Sequence, residues 1–178
     1  MAVAESSPNV WWLAINTQTT SFEELKHRKV VAQGWPMLGD LSALCRFVPA
    51  HEDAFKAAVQ LFGEVECTAY DWWAEDRKPT RTPSVMWNLL GLRQGDVVVG
   101  IEGTTVRGIC ELPFDACESY QYHGAYDYAH TVGHPVEWVE WNPALGAPPS
   151  PPKQSVNGLR QLRSEREAVL EAWRRYRS

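Results

Sequence analysis

Between Asp96 and Leu112 the chain reads DVVVGI, then Glu102-Gly103-Thr104, then TVRGICEL. Two β-rich runs flanking a glycine turn make a hairpin, since glycine supplies the positive φ that so tight a reversal needs. This hairpin constrains everything before it. The parallel sheet of a nucleotide-binding fold requires regular β-α alternation, and that alternation is absent after Asp96.

Upstream, Val10–Asn16 (VWWLAIN) is apolar and aromatic, as a buried strand should be. Ser21-Phe-Glu-Glu24 is a capping box that opens a short helix to about His27. Val30–Trp35 reads as a strand running into a turn at Gly34, Pro36 and Gly39. Phe55, Val59 and Phe62 recur at helical spacing between Ala50 and Phe62, where Gly63 ends the helix. Thr82-Pro83 starts another helix, with Val85, Met86, Leu89 and Leu90 on its buried side and Gly91 or Gly95 closing it.

Downstream of the hairpin, the tyrosine-rich SYQYHGAYDYAH precedes a strand over Pro135–Trp141. The five prolines of Asn142–Lys153 mark a linker with polyproline character. Beyond it, Leu159, Leu162, Val169, Leu170 and Trp173 predict an amphipathic helix of about 20 residues with an arginine-rich polar face. The expected organisation is a body over residues 1–142, a linker over 143–154 and a basic helix over 155–178. The expected class is α+β: a small curled sheet or open β-barrel with peripheral helices and a C-terminal helix.

Charge is uneven. Residues 1–152 carry 10 Lys and Arg against 19 Asp and Glu, a balance of −9, whereas 153–178 carry 7 against 3, a balance of +4. An acidic body argues against tight sequence-independent binding of nucleic acid, which depends on neutralising phosphates. No apolar run approaches the roughly 20 residues of a membrane span. The start, MAVAESSPN, lacks the basic and apolar stretches of a secretory leader, and four scattered cysteines do not make a disulfide scaffold. The expected setting is intracellular, in the cytoplasm, with no membrane partner.

Catalytic and metal chemistry find little support. Cys110, Cys117, His123, His130 and His134 cluster in sequence, yet the cysteines are seven apart and Gly133 and Pro135 oppose a shared helical face for the histidines. Asp76 and Lys78 have the spacing of a metal-dependent nuclease, with Glu66 and Asp71 upstream, but AEDRKPTRTP is turn-like. Ser84 and Ser119 lack a nucleophile-elbow setting, and there is no P-loop or G-x-G-x-x-G. The chain reads as non-catalytic, without metal or cofactor.

Aromatic recognition remains. Nine tryptophans, six tyrosines and five phenylalanines are more than a small core readily hides. Trp11 shares a strand face with Leu13 and Ile15, Trp87 falls within a helix, and Trp138 and Trp141 lie on opposite faces of one strand. Trp35, at a glycine–proline turn, has little sheet to bury against. Such rings stack on planar bases or enclose a methylated ammonium.

Three stretches together resemble the PUA-like superfamily, in particular its EVE and YTH branches, which read modified bases. They are the strand ending in Asn16 with the capped helix and VVAQGWPMLGDLS; QGDVVVG with GICEL; and Tyr120-x-Tyr122 followed by HPVEWVEW. The last is similar to reader domains on modification-dependent restriction enzymes. The resemblance covers residues 10 to 142, and the insertion from Gly63 to Thr82 has no counterpart in it.

By position it implies Trp35 as a stacking wall, Asn16 as a hydrogen-bonding contact and Asp40 as an acceptor from an exocyclic amine. The YTH branch closes its cage with a second tryptophan; here Tyr120, Tyr122 or Tyr126 is left for that wall. The implied partner is nucleic acid, DNA rather than RNA. It would carry methylated or hydroxymethylated cytosine, or methylated adenine, flipped into the cage. The tail is expected to contact phosphates through Arg160 and Arg163, to dock or form a homodimer, or to lead toward an effector nuclease. The competing reading is a protein-interaction module for a basic or methylated peptide.

Overall fold

A computed structural model describes residues 7–66, 81–152 and 158–178. The hairpin is at its centre: β3 (Val97–Glu102) and β4 (Thr105–Glu111) pair antiparallel through the Gly103 turn, with a register shift between Gly100 and Ile101. Strand β1 (Val10–Ile15) lies parallel to β3, Val10 opposite Val97 and Ile15 opposite Glu102. Strands β7 (Val139–Glu140) and β8 (Leu159–Leu162) complete a five-stranded sheet in the order β7-β4-β3-β1-β8. A second sheet orders β2 (Val31–Gln33), β6 (His130–Val132) and β5 (Gln121–Tyr122), with a one-turn helix, α4 (Ala116–Ser119), just before β5. Neither sheet closes, so the architecture is α+β with two open sheets.

The run VVVGI is apolar throughout because both faces of the large sheet are covered. On one face Leu13, Ile15, Val98 and Cys110 meet α1 (Phe22–Arg28), α2 (Glu52–Glu66) and α3 (Arg81–Leu90) through Phe22, Leu25, Phe55, Val59, Met86 and Leu89. On the other, Val10, Trp12, Val97, Val99, Ile101 and Ile109 meet Val169, Leu170 and Trp173 of a C-terminal helix. The period-2 alternation of strand side chains sorts these sets. Trp138 and Trp141, three apart, pack on opposite clusters.

Capping chemistry acts where it was expected: Ser21 Oγ accepts from Glu24 N at 3.2 Å, and Lys29 ends α1 in the left-handed region. Gly63 does not stop its helix, which continues to Glu66. An interior glycine costs about 1 kcal/mol, an amount tertiary packing overrides. Phe62 there is 37% exposed, so the buried stripe of α2 rests on Phe55 and Val59. The strand expected over Pro135–Trp141 shrinks to β7. Its first half is pinned beside residues 29 and 30, with Val136 N donating to Lys29 O and Trp138 Nε1 to Val30 O.

The tail differs most from expectation. Of the helix expected over 155–178, residues 155–157 lie outside the described residues and the remainder holds a strand, β8, followed by α5 (Arg166–Arg177). Leu159 packs with the α1–α3 side of the sheet and Leu162 with the α5 side. Residues three apart take opposite faces of a strand but neighbouring positions on a helix, so covering the exposed edge of β1 forces the extended form. Nor is the expected linker over 143–154 free across its described part, residues 143–152. Leu145 and Pro149 are buried, and Asn142 Oδ1 caps a 3-10 turn at Pro143–Leu145 by accepting from Ala144 N.

Asp96, 2% exposed, accepts from Asn9 N (2.8 Å), Trp11 Nε1 (3.0 Å) and Arg93 N (3.1 Å). Asp96→Ala orphans all three donors, and we expect a loss of about 3 kcal/mol or more in urea unfolding. A change below ~1 kcal/mol would show that water takes over the three bonds.

Candidate functional site

Strand β2 ends at Gln33, and after Gly34 the next residue, Trp35, turns the chain with φ 61° and ψ 55°. Lys29 is the other non-glycine residue of positive φ among those described. Left-handed backbone costs a bulky residue roughly 1–2 kcal/mol, and the proline that follows tightens the restriction. Something must hold Trp35 there.

His130 does so. It lies fully buried on β6 directly opposite Gln33, and its Nε2 is 3.0 Å from Trp35 O. A carbonyl only accepts, so Nε2 carries the proton. Burial holds the imidazole below its ordinary value of 6.5, hence neutral, which leaves Nδ1 as an acceptor. Tyr120 OH, 2.8 Å away, donates to it and accepts from Leu41 N at 3.1 Å. Burial pushes the Tyr120 phenol above its usual range, which keeps it a donor. Tyr122 OH donates to Pro36 O at 2.5 Å. The tyrosines thus brace the Trp35 turn from both sides.

Of the residues singled out from sequence, the fold brings Trp35, Asp40, Tyr120 and Tyr122 together around His130. Trp35 is partly buried and packs against the core. Asp40 is exposed, accepts from Ser42 N at 2.8 Å, and its charge is felt by both His130 and Tyr120. Tyr120 and Tyr122 each spend a ring face on His130, at centroid distances of 6.1 and 5.5 Å. They serve as supports before they serve as walls.

Asn16 follows β1 in an exposed turn, where its Oδ1 accepts from Gln18 N at 3.1 Å and its own N–H donates to Tyr128 OH at 2.9 Å. Tyr126, 49% exposed, lies under the Arg28 guanidinium at 4.1 Å. Arg28 also donates to Tyr128 O, so it is the cation that the fold delivers to this aromatic edge. Sequence reasoning passed over Arg28 and Gln33, and weighed His130 only as a metal ligand. A histidine within an apolar, β-branched AHTV strand was the available signal.

Arg160 and Arg163 stand elsewhere. Both are exposed and line a cavity of about 600 Å3 beside β8, together with Trp11, Trp12, Asn88 and Gln161. Arg163 follows Leu162, which faces Val10, so it sits at the start of β1 while Asn16 sits past its end. That is roughly 20 Å along the strand at ~3.3 Å per residue.

Among the described residues no three His, Cys, Asp or Glu side chains gather as metal ligands, and no helix is long and apolar enough to cross a membrane. Cys110 is buried in β4, and Cys117 Sγ donates to Leu90 O. Asp71, Asp76 and Lys78 lie outside the described residues. Compared with protein-family models, with curated proteins and with solved structures, the chain finds no match.

The His130 ring resists protonation in the fold more than in the unfolded chain, so stability is full above 6.5 and declines as pH falls through and below it. From about pH 7 to about pH 5 the urea midpoint of the wild type should fall further than that of His130→Gln. Parallel pH profiles would show that the buried imidazole contributes nothing to acid lability.

Proposed function

We propose that the chain is a non-catalytic reader that encloses a modified nucleobase against Trp35, in the manner of the PUA-like EVE and YTH domains it resembles. One observation carries this reading: a partly buried tryptophan held in a strained left-handed turn before proline, its carbonyl fixed by a buried His–Tyr network. Strain that neighbouring structure maintains is concentrated at binding sites.

A base leaving a duplex costs a few kcal/mol in lost stacking and pairing. Stacking on Trp35 returns about 1–3 kcal/mol, with a hydrogen bond accepted by Asp40 from the exocyclic amine and one made by Asn16 to the base edge adding to it. The ligand is DNA bearing methylated or hydroxymethylated cytosine, or methylated adenine. A methyl group adds about 0.8 kcal/mol when buried, so selectivity also requires a poor fit for the bare base. Arg160 and Arg163 supply phosphate contacts at the far end of β1, which suits a local basic patch on an acidic body.

Titration of fluorescent duplexes with and without the modified bases, alongside trimethyl-lysine peptides, tests the reading. Trp35→Ala should weaken binding of the modified duplex about tenfold or more, the loss of one stacking partner. Trp35→Gly should bind equally poorly yet unfold about 1 kcal/mol later than Trp35→Ala, because glycine accepts positive φ freely. Joint replacement of Arg160 and Arg163 by Ala should reduce the log–log salt slope by about two. Unchanged affinity in Trp35→Ala, or preference for the peptide, would overturn the proposal.

A further inference from the structure

Gln33 is 2% exposed, and its Nε2 is the one fully buried side-chain nitrogen or oxygen without a hydrogen-bond partner among the described residues. A buried donor left unpaired has given up water and received nothing in return, so the fold is less stable for its presence. Native structures rarely keep such a group unless something else satisfies it.

Its position says what that could be. Gln33 is directly opposite His130 in the β2–β6 pair, so both side chains project from the same face of the small sheet, with Cβ atoms roughly 5 Å apart. That face bears the Tyr120–His130–Trp35 network, and Gln33 precedes Trp35 by two residues. Asp40 directly precedes Leu41, whose N–H donates to Tyr120 OH, the group bonded to the same imidazole.

Resting on the reader function proposed above, we infer that Gln33 determines base specificity: its Nε2 donates to a ring nitrogen or carbonyl acceptor on the bound base, while Asp40 accepts from the exocyclic amine. A donor beside an acceptor in this pairing matches the cytosine edge, with N3 or O2 and the N4 amine, or the adenine edge, with N1 and the N6 amine. It mismatches uracil and thymine, whose O4 is an acceptor that would face the Asp40 carboxylate.

The test uses Gln33→Met, an unbranched side chain of similar length that removes the donor, with Gln33→Leu as a second variant should the first fail to fold. Thermal unfolding is followed together with fluorescence anisotropy on duplexes carrying one 5-methylcytosine, one N6-methyladenine or one 5-hydroxymethyluracil. The inference expects the substituted protein to bind the preferred duplex about tenfold more weakly, with a melting temperature equal to or above the wild type. It also expects the wild type to ignore hydroxymethyluracil. Wild-type affinity in Gln33→Met would overturn it, since the amide then meets only water. A lowered melting temperature would do the same by showing the amide engaged within the fold. Equal binding of hydroxymethyluracil would remove the proposed edge pattern. If the wild type binds none of the three duplexes, the reader function itself fails and Gln33 with it.

Discussion

A buried carboxylate sets the alignment that the remaining structure inherits. Strands β1 and β3 are parallel neighbours separated by 87 residues at their Asn9–Asp96 junction, and no turn fixes their register. Asp96, one residue before β3, catches Asn9 N, one residue before β1, while Val97 N reaches Asn9 O at 2.9 Å. Its second oxygen holds the Trp11 indole and the turn at Arg93. A slip of one residue would turn Leu13 and Ile15 toward α5 and Trp12 toward α1–α3, exchanging two packed faces at once.

The candidate site follows from that alignment. With Ile15 set opposite Glu102, the chain leaves β1 beside the end of β3, where Glu102 Oε1 accepts from Phe22 N at 2.7 Å and seats the start of α1. Phe22 then fills the space over Gly108, where an added Cβ would come within 2.4 Å of its ring. A side chain there would lift α1 from the sheet. The helix delivers Lys29 and Val30 to β2, and Trp138 Nε1 ties Val30 O. Tyr128 bridges the sheets, its OH serving Asn16 N and Ala14 O. Trp35 therefore hangs on a chain of contacts that begins at the large sheet.

Local signals in the sequence were read correctly where local chemistry decides the outcome. The Ser21 cap and the Gly103 hairpin each depend on residues within one turn of one another, whereas the helix expected to begin at Thr82-Pro83 already includes Arg81. The tail was misread because Leu159, Leu162, Val169 and Trp173 fit a helical stripe equally well. What selects the strand is an unpaired edge of β1 about 150 residues away, which no local pattern carries. The turn at Trp35 was visible in its glycine and proline. The brace behind it was not, since Tyr120–His130–Trp35 spans two strands and 95 residues. Arg160 and Arg163, expected as phosphate contacts on a basic helix, instead lie on and just after β8.

Two local rules are broken within three residues: a tryptophan sits at positive φ before proline, and a buried amide two positions earlier lacks a partner. Each lowers stability by about 1–3 kcal/mol, and each has a simple remedy, glycine in one case and an apolar side chain in the other. Consistency between local and global preference is the rule for a folded chain, and departures concentrate where something other than folding is served. Here the surroundings invest in keeping the departures, because His130, Tyr120 and Tyr122 direct their polar atoms at this turn. A fold that merely tolerated an awkward turn would not bury an imidazole to preserve it. The same imidazole connects the two irregularities, bonding to the Trp35 carbonyl and standing across the strand from Gln33. The Trp35 backbone and the Gln33 amide are therefore set against one imidazole by the fold alone, and preorganisation of that kind is what the proposed binding of a flat, hydrogen-bonding partner would draw on.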